Sequence, residues 1–87
     1  MIRHFIFMLI HTLKTEPVFF NQTKEGKKLY EVRKFDRPYK AGDTVFLQEF
    51  DGKEFSGQEL SFEIGFVLTN DIFEGVRKGW CVFSLIK

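Results

Sequence analysis

Turn-forming residues cut this chain into short segments roughly every ten positions, and the segments between them carry strand-like patterns. The clearest runs over residues 60–68. There Leu60, Phe62, Ile64, Phe66 and Leu68 fall on one face, and Ser61, Glu63, Gly65 and Val67 on the other. Residues 8–14, 29–35 and 44–50 read as further strands. Residues 80–86 are apolar on both faces, as expected of a strand with a neighbour on each side. Thr15, Glu16 and Pro17 read as a helix start, with Thr15 as cap. Gly26 is a natural stop after Glu25. Asp51-Gly52 reads as a hairpin, Gly57 as the close of its loop, and Gly42-Asp43 as turn chemistry. About five strands and one early helix predict a mainly β (α+β) domain, a small barrel or strongly bent sheet with the helix over one opening.

A chain of 87 residues holds one domain, near the lower limit for folding without disulfides or metal. Its 12 phenylalanines help explain how it could fold, since each large aromatic buries about 150–250 Å² and a few of them fill a small core. A single cysteine, Cys81, excludes an internal disulfide and fits a reducing, cytoplasmic setting. It sits in an apolar run and reads as a core residue. The apolar start of the chain is short, broken by His4 and His11, and followed by no small-residue cleavage site, so neither signal peptide nor membrane span is read from it. Residues 1–7 read as an extension, and the domain proper as residues 8–87.

The net charge of +1 excludes a strongly basic nucleic-acid binder. Charge is nevertheless uneven. Between positions 24 and 40 stand seven basic and three acidic side chains, while the rest of the chain is net acidic. The stretch EGKKLYEVRKFDR (residues 25–37) places Lys27 and Lys28 after the helix. It puts Glu31 and Arg33 on one strand face, backed by Tyr30 and Val32 on the other. Lining a cleft, such cations would grip phosphate, the arginine through its planar fork. The competing reading is a solvated face of weak ion pairs.

The run G-x-K-x-x-E-x-R, here Gly26, Lys28, Glu31 and Arg33, resembles the signature of the ASCH domains of the PUA-like superfamily. The wider order is similar to a group of small bacterial and phage ASCH-like proteins: His11-Thr-Leu13-Lys14, Pro17, Phe20, GKKLYEVRKFDR, Gly42-Asp43 and Glu49-Phe50. The resemblance implies a PUA-like barrel binding RNA or a nucleotide in a cleft. Lys28, Glu31 and Arg33 would line it, with Lys27, Arg37, Lys14 and His11 as neighbours. Tyr39, in a basic turn, is the candidate to stack on a base. Some ASCH relatives are amidohydrolases of acylated cytidines, using a lysine at the Lys28 position, a threonine on the next strand and a distant glutamate. Here the threonine position is Glu31. A close carboxylate favours the charged ammonium, whereas a nucleophilic lysine must be neutral. Glu63 and Glu49 are the candidates for the distant glutamate. A protein-interaction role is the third reading. No cofactor or metal is expected, since His11 has no Cys or His at ligand spacing.

Overall fold

The computed structural model describes residues 7–87. Expectations that fall on residues 1–6, including the bulk of the extension and His4, lie outside the described residues. The elements run β1 (Ile10–Thr15), α1 (Pro17–Lys24), β2 (Tyr30–Lys34), β3 (Thr44–Phe50), β4 (Phe55–Thr69) and β5 (Trp80–Ile86). They form one curled half-barrel sheet in the order β1-β3-β4-β5-β2, with the short helix after the first strand. Only the β1–β3 pairing is parallel among the described strands. No helix among the described residues is long and apolar enough to cross a membrane.

The concave side of the sheet is the core. Leu13, Val45, Leu47, Phe62, Ile64, Cys81, Phe83 and Leu85 meet there, joined by Tyr39 from the turn region. Burial pushes the Cys81 thiol up, as expected of a packed rather than reactive cysteine. β5 pairs with both β4 and β2, so its two-sided apolar character matches an interior position. Helix α1 packs against β3 through buried Phe20 and Thr23, three residues apart on one face.

Four local expectations need correction. Thr15 is not the helix cap. It is the last residue of β1, paired with Glu49, and Glu16 holds the cap position without a side-chain hydrogen bond. Gly57 lies inside β4 at φ 92°, because β4 begins at Phe55. Trp80, in the run read as apolar on both faces, is only half-buried.

The fourth correction concerns β4. Its pairing with β5 shifts register between Ile64 and Val67, so one extra residue enters the strand. Beyond this bulge the faces exchange. Val67 turns inward against the core and Phe66 turns out to solvent. Gly65 permits the bulge: a Cβ there would sit 2.6 Å from Ser84 Oγ and 2.7 Å from Ile86 Cδ1.

Candidate functional site: a basic cleft at the seam of the sheet

The two edge strands, β1 and β2, are not paired with each other. Between them and α1 lies a cleft of about 830 Å³. Its lining includes six basic side chains, Lys14, Lys27, Lys28, Arg33, Lys34 and Arg37, against three acidic ones, Glu16, Glu31 and Asp36.

The floor is built by an inversion of the usual strand pattern. On β2, Tyr30 and Val32 face outward and are about half exposed, while Glu31 points inward opposite Phe83. The Glu31 side chain is only 3% exposed. A buried carboxylate needs compensating partners, and Glu31 has two. Lys28 Nζ donates to its Oε2 at 2.5 Å. Arg33 donates to its Oε1 through Nε at 2.9 Å, with Nη2 2.7 Å from the same oxygen. Each cation also holds backbone. Lys28 Nζ donates to the Tyr30 carbonyl at 2.7 Å. Arg33 Nη2 donates across the seam to the Lys14 carbonyl at 3.0 Å and to Thr15 Oγ1 at 3.3 Å. Arg33 therefore clasps the two sheet edges together. Both cations keep part of their surface open to the cleft, 15% for Lys28 and 25% for Arg33.

Of the residues singled out from sequence, Lys14, Lys27, Lys28, Glu31, Arg33, Arg37 and Tyr39 all line the cleft. Tyr39 does so as a core residue, which corrects its reading as an exposed stacking group. Its ring lies 4.7 Å from that of His11 and 4.9 Å from that of Phe83, with Arg37 over it at 5.8 Å. Burial pushes its hydroxyl up, against the lowering pull of Arg37 and Arg33.

His11 does not line the cleft. It is buried beside Tyr39, with Nε2 2.8 Å from Asp43 Oδ2. Asp43 is fully buried and also accepts from the Leu9 and Lys40 amides, at 3.0 and 3.1 Å, and from Lys40 Nζ at 3.2 Å. Burial pushes this carboxyl up. The hydrogen bonds from His11, the two amides and Lys40 outweigh that effect and hold it below the usual aspartate range. Sequence reasoning saw only turn chemistry at Gly42-Asp43. The available clue was His11, an apolar-face histidine that needs an acceptor.

Neither candidate for a distant glutamate joins Lys28. Glu63 sits on β4 opposite Thr44 and Ile86, and Glu49 is hydrogen-bonded to Gln58 near the β3–β4 turn. Among the described residues, no group of three or more His, Cys, Asp or Glu side chains is placed to hold a metal.

Fold and site together define a small α+β half-barrel domain with a cation-lined cleft at its open seam. The chain belongs to a domain family of unknown function, DUF3850, whose model matches residues 10–85. It is also similar to the protein described as "Uncharacterized 12.9 kDa protein in GpA 3'region" of Escherichia phage P2, with 40% identity over 55 residues. That match covers 63% of this chain and 50% of the phage protein, so the chain spans about half the length of this relative.

Proposed function

We propose that this domain is an RNA- or nucleotide-binding module of the ASCH type within the PUA-like superfamily, and that its ligand's phosphate sits on Lys28 and Arg33. The observation that carries this reading is the buried Glu31 carboxylate fixing both cations at the floor of a cleft rimmed by further lysines and arginines. Mobile surface lysines must be ordered by each ligand they bind, whereas these two are already ordered by the protein. Arg33 uses one side of its fork on Glu31 and the β1 edge, and Nη1 has no protein partner among the described residues. That leaves a donor for an incoming anion. The modest net charge suits a local grip better than general binding of polyanions.

Hydrolysis of an acylated nucleoside fits less well. Lys28 Nζ is committed to Glu31 and to the Tyr30 carbonyl, so the amine is tied into hydrogen bonds rather than free to attack an acyl carbon.

The reading is tested by fluorescence anisotropy of a labelled single-stranded RNA over a salt series. Affinity should fall as salt rises, because phosphate contacts release counterions. Lys28→Ala should weaken binding about ten-fold and reduce the salt slope by about one. Affinity indifferent to salt, or no binding of RNA or nucleotides at low salt, would overturn it.

A further inference from the structure

Two half-exposed aromatic rings at the mouth of the cleft remain without a role. Phe19 lies on α1, whose packed side is set by Phe20 and Thr23, and its neighbouring position leaves it 47% exposed. Tyr30 opens β2 on the outward side of the strand and is 48% exposed. Both line the cleft. They come from different elements yet share one cation. Lys28 Nζ lies 5.9 Å from the Phe19 ring centroid and 5.0 Å from that of Tyr30. The two rings make no direct ring contact with each other among the described residues. The ammonium cannot swing away, because Glu31 and the Tyr30 carbonyl hold it.

We propose that Phe19 and Tyr30 are base-stacking residues, and that the ligand is a single-stranded segment with an unpaired nucleobase at the mouth of the cleft. The inference rests on the nucleic-acid reading above and adds a term that phosphate contacts cannot supply. Cations alone accept any polyanion, duplex included. Aromatic rings require an open base face, which stacking within a duplex covers. Every base has such a face, so the preference is for single strands over duplexes rather than for one sequence. The pinned ammonium beside the rings is placed for the phosphate attached to the stacked base, and Arg33 for the next contact along the backbone.

The test is anisotropy with three labelled RNAs: a single strand of about eight nucleotides, within the footprint of small single-strand binders, the same strand with abasic residues, and the same sequence as a duplex. The wild-type domain should bind the single strand at least ten-fold more tightly than either of the others. Phe19→Ala and Tyr30→Ala together should abolish most of that advantage. Tyr30→Phe should retain it, and Phe66→Ala, an exposed ring away from the cleft, should change nothing. Both rings are half exposed, so an unchanged amide NMR fingerprint outside the cleft would show that the variants fold. Equal binding of all three RNAs, untouched by the aromatic variants but lost in Lys28→Ala, would overturn the stacking role while leaving the phosphate site standing. Absence of binding to any of them at low salt would remove both.

Discussion

Two buried carboxylates tie down the opposite ends of β1, and they do so in different ways. Near its start, Asp43 accepts two backbone amides, His11 and Lys40, and is sealed from solvent. At its end, Glu31 is satisfied by Lys28 and Arg33, and Arg33 reaches on to the Lys14 carbonyl and Thr15. The partners of Asp43 are mostly fixed donors of the fold itself. Those of Glu31 are two cations whose outer surfaces open on the cleft. A buried charge met by amides locks a loop to a strand. The same charge met by partly exposed cations locks the loop and also presents a charged surface. The difference separates a fold-determining site from one that can serve a ligand.

The comparison breaks most visibly at Asp43. Asp43→Ala strands the Leu9 and Lys40 amides and His11 without their acceptor, and should destabilise the domain by about 3–5 kcal/mol in urea unfolding. Asp43→Asn keeps an acceptor and should cost less. Its pH dependence is the sharper readout. Because the folded state holds the Asp43 carboxyl below the usual range, the unfolded chain binds the proton more readily. The contribution is therefore complete above the ordinary aspartate pKa and is lost as pH falls through the folded value. Stability curves of wild type and Asp43→Asn should differ near neutrality and converge in acid. Curves that stay parallel throughout would mean that the Asp43 charge plays no part in holding β1.

At Glu31 the balance between fold and site should reverse. Glu31→Gln preserves shape but leaves Lys28 and Arg33 without a counter-charge. Both cations can recover some hydration from the cleft, so the loss of stability should be nearer 2 kcal/mol. RNA affinity should nevertheless fall about ten-fold, despite the removal of a negative charge, because the cations are no longer held in place. An affinity that rises instead would make Glu31 a simple electrostatic brake on the site.

The strands could be read from alternation because a residue's face depends only on its neighbours. The same rule failed where the backbone broke parity, and it is silent on which of two faces turns inward. At Gly65 the extra residue of the bulge turned Phe66 outward, and an unbroken pattern in sequence concealed it. On β2, alternation correctly separated Tyr30 and Val32 from Glu31 and Arg33. It could not say which pair faced in, since the burial of Glu31 depends on Lys28 and Arg33 closing around it. The basic stretch and most of the cleft residues were legible because they are nearly contiguous, from Lys27 to Arg37. Asp43 was not, because its partner His11 lies 32 residues away in sequence and no local pattern links them. Phe19 was missed for a related reason. A helix of eight residues offers too few turns to show from sequence which ring packs and which stays exposed.

The smallest expected effect tests the seam. Arg33→Lys keeps the positive charge beside Glu31 but loses the planar fork that reaches both Glu31 and the β1 edge. One or two partly exposed hydrogen bonds are at stake, so stability should fall by about 1 kcal/mol. The consequence should be local. β1 and β2 have no backbone ladder between them, so without the clasp the seam is free to open while the paired strands β3, β4 and β5 stay protected. Native-state hydrogen exchange should show faster exchange at the amides of β1 and β2 that pair with β3 and β5, with the β4–β5 ladder unchanged. RNA affinity should drop only a few-fold, because the proposed phosphate contact would survive in weaker, single-point form. Uniformly faster exchange across all five strands would mean instead that Arg33 supports the whole sheet, as Asp43 is expected to, and the division between a locking carboxylate and a ligand-presenting one would disappear.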